Sequence, residues 1–312
     1  MLISGPRRLP GPSIWEEALM GSRNMIGRAL ALAGASVAVA AFASAPAVAS
    51  SGGGVASIEK LVPASIKSAG KLTVATDATY APDEFVQGTK IVGMDPDLMN
   101  AIGRVMGLKV SITNVTFDDI ITGMVAGRYM IGASSFTDEK SREKSVSFVD
   151  YANVGESFYT LKSGGTNIKG ISSICGLTVS VETGTTEETD AKAQSKKCTK
   201  AGKKAVNTTP YPTQTAANLA VSSGRAQLGF ADTPVAIYQV TKSGGKFKIV
   251  GAAYAPAPYG LAIAKSTNLT KAVKAAVVYL IKNGTYGKIF KKWGLKSVEI
   301  PASKVKINGA IF

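Results

Sequence analysis

Short runs rich in β-branched residues alternate with stretches of helical apolar periodicity from residue 71 onward, and two rounds of this pattern leave few folds open. In the first round "KLTVATD" (71–77) reads as a strand. "DPDLMNAIGRVMG" (95–107) sets Leu98, Ile102, Val105 and Met106 on one helical face and stops at Gly107. "KVSITNV" (109–115) is a strand, and "FDDIITGMVAG" (117–127) a helix with Asp118 as its expected N-cap. "MIGASS" (130–135) closes a third strand. The second round runs "LTVSVETG", "TTEETDAKAQSKK", "QTAANLAVSSG", "AQLGFAD", "TPVAIYQVTKSGG" and "FKIVG", strand and helix in turn. "YGLAIAK" (259–265) then returns as a separate strand before two final helices in 269–294. The pattern predicts an α/β chain with mainly parallel sheets, helices on both faces, and two lobes joined by crossing connections. Ligands of such folds bind beyond the carboxyl ends of the strands, which with two lobes means the cleft between them.

What the chain lacks narrows the chemistry. It has no histidine, which removes the usual general base, the commonest metal ligand and every Ser-His or Cys-His nucleophile pair. Two cysteines are too few for a cysteine-built zinc site. No cofactor and no metal is called for.

The N-terminus has the build of an export signal. Arg23 and Arg28 precede a 15-residue apolar run (29–43), and "ASAPAVASS" follows with small-x-small patterns at Ala45/Ala47 and Ala47/Ala49. Residues 1–49 are read as the signal, with Met20 or Met25 as the true start, and 50–59 as a linker. A retained, Ala-rich membrane anchor is the alternative, at a core nearer 15 than 20 residues. No cysteine lies in this region, so a lipoprotein is not expected. An oxidising compartment suits Cys175 and Cys198 as a disulfide, two unpaired thiols being the other reading. Beyond residue 49 there are 32 basic and 19 acidic side chains, net +13. The densest basic stretch (192–204) carries no aromatic residue to stack on bases, so no nucleic-acid partner is expected.

Four strand ends carry polar groups. They are Asp77 with Tyr80; Ser134, Ser135 and Thr137 leading to Arg142; "TGTTEE", where Gly184 turns the chain and Thr185 and Thr186 open a helix; and Asp232 before Thr233-Pro234. Singly, each has a plain reading. Asp77, Asp232 and the threonines serve as helix caps, and Arg142 is a surface charge beside Glu139 and Glu143. Together, a cation, a helix start, hydroxyls and a carboxylate match a zwitterion. Arg142 would take its carboxylate in two hydrogen bonds, and Asp232 its ammonium.

"VATDATYAPDEF", "GMDPDLMNAIG", "ASSFTDEKSREKSVSFVDY", "VSVETGTTEE", "SSGRAQLGFADTPVA" and "PYGLAIAKS" resemble, in order, the periplasmic amino-acid-binding proteins of ATP-binding-cassette importers, over about residues 60–309. The resemblance implies a two-lobed flytrap fold with two hinge crossovers, lobe 1 being 60–156 plus 257–309 and lobe 2 being 157–256. It implies an extracytoplasmic, soluble, monomeric receptor that captures a free amino acid, polar or cationic, and hands it to an inner-membrane permease with its ATPase. It is not expected to be an enzyme; a dehydratase acting on a small carboxylic acid on the same fold is the alternative. By the same resemblance Arg142 is the α-carboxylate clamp, and Ala133 and Ser135 fall where backbone and hydroxyl groups meet the ligand; Thr137, between them, is counted with the ligand-binding residues. Thr185 and Thr186 mark the second lobe's share of the carboxylate site, Asp232 is the ammonium partner, and Asp77, Tyr80 and Phe117 line the side-chain pocket. Two extra residues between Thr137 and Arg142 predict a bulged loop. Glu182 either faces the ligand beside Asp77, making a negative end, or points to solvent.

Overall fold

The computed structural model describes residues 54–312, so the expected signal (1–49) and the first residues of the expected linker lie outside them. The rest of that linker is packed. Helix α1 (Ala56–Glu59) buries Ile58, and the Val55 N–H donates to Val105 O at 2.9 Å.

Helix α2 (Ala64–Ala69) leads into β1 (Lys71–Thr76), followed by a small antiparallel sheet, β2 (Thr79–Tyr80), β3 (Glu84–Gln87) and β4 (Lys90–Val92). Then come α3 (Met94–Val105), β5 (Lys109–Asn114), α4 (Phe117–Val125), β6 (Ile131–Gly132), the short α5 (Lys140–Glu143) and the long β7 (Val146–Leu161). The second round is β8 (Thr178–Glu182), α6 (Thr186–Lys200), β9 (Asn207–Tyr211), α7 (Gln214–Ser222), β10 (Leu228–Asp232) and α8 (Thr233–Lys242). The 18-residue β11 (Phe247–Ala264) and helices α9 (Thr270–Lys282) and α10 (Thr285–Lys292) complete the order.

Eight strands form one sheet in the order β5-β1-β6-β11-β7-β10-β8-β9. The pairs β1–β5, β1–β6, β8–β9 and β8–β10 are parallel, as the βαβ pattern demands. The long strands β7 and β11 are antiparallel neighbours and belong to both halves. Their ladder shifts register between Val250 and Tyr254 and again between Tyr254 and Ala257. On one side of these shifts β11 pairs with β6, and on the other β7 pairs with β10. These two strands are the crossovers of a two-lobed fold. Each lobe has its own apolar interior. One gathers Leu72, Val74, Leu98 and Ile102 with Val273, Val277 and Phe290 of the last helices; the other gathers Phe158, Val179, Val181 and Phe230.

The expected break before "YGLAIAK" does not occur. The register shifts let β11 pass through Gly251, Pro256 and Pro258 as one strand. The α4 N-cap is Thr116 rather than Asp118, which lies in the first turn. Cys175 and Cys198 are joined, Cα atoms 5.6 Å apart, tying α6 to the chain before β8.

Candidate functional site

The carboxyl ends of β1, β6, β8 and β10 converge on one gap between the lobes. Tyr80, Phe117, Ser134, Ser135, Thr137 and Arg142 form one wall; Glu182, Thr185, Thr186, Glu187 and Asp232 form the other. The walls approach so closely that the enclosed space is about 10 Å³, room for roughly one water. A larger molecule enters only when the lobes part.

Arg142 is neither a surface charge nor on a loose bulge. The segment expected to bulge carries the short helix α5, and the Arg142 guanidinium lies over Phe117 and Phe136, 5.5 Å from each ring centroid. Nη1 donates to Thr137 O at 2.9 Å, Nη2 reaches across the gap to Gly184 O at 3.0 Å, and Nε pairs with Glu139 at 3.3 Å. A guanidinium has five N–H groups. Among the described residues, one on each terminal nitrogen is left without a protein acceptor. Gly184 permits the approach because its φ is +81° and a Cβ there would lie 3.1 Å from Asp118 Cβ of the facing lobe.

Asp232 occupies the N-cap position of α8, yet its side chain makes no capping bond. Instead Oδ2 accepts from the Tyr80 hydroxyl at 2.9 Å, a bond from lobe to lobe. Burial pushes its carboxyl up to about 7, with the Tyr259 and Tyr80 hydroxyls pulling the other way. Thr185 does act as a cap, its hydroxyl accepting the Glu188 N–H at 3.3 Å, so the plain reading holds for that atom although the residue lines the gap. Glu182 does not face solvent. It is 2 % exposed, accepts the Gln214 N–H at 3.1 Å and meets Asp77 across the gap. Burial raises its carboxyl well above the usual range, and the Asp77 and Glu187 charges raise it further.

Two expected site residues stand behind the wall. Asp77 accepts the Thr79 and Phe117 N–H groups at 3.0 and 3.1 Å, serving partly as the cap of α4, and reaches the gap through its contact with Glu182. Ala133 is buried just after β6 with its N–H on Ala75 O at 3.0 Å, and does not line the gap. Ser135 lines it with φ at +50°, but its hydroxyl points inward to Asp83 and Glu84, both at 3.2 Å.

Two acids escaped the sequence reading. Glu187 follows the Thr186 of "TGTTEE", where a first-turn glutamate ordinarily sits in water. Here it is 1 % exposed, with Oε1 unpartnered among the described residues and Oε2 accepting from Thr186 at 3.3 Å. Burial and the Asp232 charge raise its carboxyl. Glu156, opposite Asp232 in the β7–β10 ladder, is pushed up to about 11 by burial, then by Glu187 and Asp232. Glu182, Glu187 and Asp232 thus line the gap with Arg142, and Asp77 and Glu156 lie buried close by. Burial disfavours the charged forms of such groups, and a cation brought among them favours ionisation. Among the described residues no cluster of His, Cys, Asp or Glu is arranged to hold a metal ion, and no helix is long and apolar enough to cross a membrane.

The fold and gap define a two-lobed α/β binding protein. Residues 72–296 match the model of the bacterial extracellular solute-binding proteins, family 3, and the chain belongs to that family. It is 34% identical over 244 residues to the arginine-binding protein ArgT of Corynebacterium glutamicum, covering 78% of this chain and 80% of that one. An ancestral arginine-binding protein bound to arginine superposes with a TM-score of 0.66 at 32% identity, over 72% of this chain and 98% of that one. The arginine-, lysine-, histidine-binding protein ArtJ of Geobacillus stearothermophilus superposes at 0.65 with 26% identity, over 72% of this chain and 94% of that one. The chain is accordingly a solute-binding protein and not an enzyme, and the dehydratase alternative is the less supported reading.

Proposed function

We propose that the chain captures a free L-amino acid with a cationic side chain, arginine first, and presents it to the permease and ATPase of an ATP-binding-cassette importer. The observation that carries this reading is the charge imbalance of the gap, where Glu182, Glu187 and Asp232 line the space, with Asp77 and Glu156 buried close by, against one arginine. A zwitterion with one further positive charge supplies one carboxylate and two cations. Its carboxylate meets the two remaining N–H groups of Arg142 and the start of α6. Its ammonium takes Asp232 in place of the Tyr80 hydroxyl. Its side-chain cation lies over Phe117 and Tyr80 toward Glu182, Asp77 and Glu187.

Closure follows from differential binding. Arg142 and Asp232 come from different lobes, so a ligand bridging them favours the closed form, with β7 and β11 as the hinge between residues 60–156 plus 257–309 and residues 157–256. The protein acts as a soluble monomer outside the cytoplasm, residues 1–49 being a cleaved signal without lipid attachment. The reading is tested by thermal-shift titration of the purified protein against the common L-amino acids. At a hundred times its Kd, the true ligand should add about 2.7 kcal/mol of stability. Arginine, lysine and ornithine should head the ranking, and a panel headed by acidic or aliphatic amino acids refutes the assignment.

A further inference from the structure

Helix α5, which carries Arg142, has four residues and no side-chain cap. A helix so short does not hold itself. What holds it from outside is a segment far along the chain. Residues 299–312 run back over lobe 1, bridging Ala152 at Glu299 and Val149 at Ile307. Asn308, at φ +52°, grips β7 from both sides: its Oδ1 accepts the Phe148 N–H at 2.8 Å and its own N–H donates to Phe148 O at 3.2 Å.

The next residues reach the Arg142 segment itself. The Gly309 N–H donates to Asp138 Oδ2 at 2.7 Å, the Ala310 N–H to Glu143 Oε1 at 3.4 Å, and the Lys140 N–H to Phe312 O at 3.2 Å. These three bonds fall just before α5, on its first residue and on its last. A Cβ at Gly309 would lie 2.1 Å from Asp150 Oδ2, so a side chain there would push the Asp150 carboxylate aside. Asp138 is fully buried and itself anchored, its N–H on Pro258 O of β11 at 2.9 Å. The inner side of the segment faces the gap through the bond from Arg142 to Thr137 O.

We propose that residues 308–312 form a strap that positions Arg142, with Asp138 and Glu143 as the positioning residues through which it acts. The strap touches no ligand. It fixes the backbone from which the guanidinium reaches the gap, so that the two remaining N–H groups meet a carboxylate without first ordering a loose turn. Binding sites depend on this kind of support behind the contacting residue. The inference rests on Arg142 being the carboxylate clamp proposed above.

A double-mutant cycle on the full chain, read by calorimetry with L-arginine, tests it. Deleting residues 308–312 should weaken binding about tenfold, the low end for losing one charge-assisted hydrogen bond. Asp138→Ala should weaken it similarly. Asp138→Asn keeps an acceptor for the Gly309 N–H and should recover most of the loss, which also shows that the fold tolerates change at this position. In an Arg142→Ala background the deletion should cost nothing further, because the strap has nothing left to position. Losses that add in the double variant overturn the strap while leaving the clamp standing. Full affinity in Arg142→Ala alone overturns the clamp, and the strap with it.

Discussion

Replacing Arg142 by alanine and by lysine separates the charge of this side chain from its shape. Three of its five N–H groups are held, on Thr137 O at 2.9 Å, Gly184 O at 3.0 Å and Glu139 at 3.3 Å, which leaves one on each terminal nitrogen for a ligand carboxylate. Two charge-assisted hydrogen bonds at about 1.5–3 kcal/mol each put the alanine loss at about 3 kcal/mol or more, roughly 150-fold in Kd. Lysine restores a positive charge but not the fork, and it abandons the stack over Phe117 and Phe136. Arg142→Lys should therefore recover only part of the loss and remain about tenfold weaker than arginine. Calorimetric titration with L-arginine at fixed ionic strength reads both numbers. Undiminished binding in Arg142→Ala refutes the clamp, and full recovery in Arg142→Lys refutes the argument from geometry.

Three further outcomes follow from the same gap and its scaffold. Asp232→Asn should weaken L-arginine much more than 5-guanidinopentanoate, which lacks the amine; equal losses remove the ammonium role from Asp232. Asp232 is pushed up to about 7 and the carboxyls of Glu182 and Glu187 are raised as well, so lowering the pH through neutrality favours their neutral forms. A cation favours the ionised forms, so its binding releases protons. Affinity for arginine should rise from pH 5 to pH 8, by up to about tenfold per pH unit for each proton released, and a flat profile contradicts this. The Cys175–Cys198 bridge closes a loop with a sequence separation of 23. Cys175→Ala with Cys198→Ala should cost about 3 kcal/mol in urea unfolding, with a steeper slope as the freed chain exposes more surface; a loss below about 0.5 kcal/mol would count against a structural role.

Most of the scaffold was legible because parallel βαβ units announce themselves in period, and because polar residues at strand ends have few uses. Arg142, Asp232 and Tyr80, polar groups near strand ends, line one gap, joined there by Phe117, which the resemblance suggests, and by Glu182, for which the sequence leaves gap and solvent both open. The failures share one cause, long-range packing overruling a local signal. "GAAYAPAP" carries the glycine and prolines of a break, yet the register shifts carry β11 straight through it. Glu187 and Glu156 carry no local signal that sets them apart from solvated acids, yet the fold buries both. Ser135 offers a hydroxyl to the gap in sequence but turns it to Asp83 and Glu84, which no local pattern specifies. The segment that braces α5 is more than 160 residues away in the chain, beyond the reach of any motif around Arg142.

The most direct measurement is a paired titration of L-arginine and L-citrulline into the purified protein. The two have nearly the same shape and differ in the charge of the side-chain end, so their ratio isolates the acids around Glu182. A preference for arginine of a hundredfold or more is the predicted result, in line with the cost of leaving a buried carboxylate unpaired. Equal affinities, or a preference for citrulline, would contradict the claim that this gap is built to hold a second positive charge.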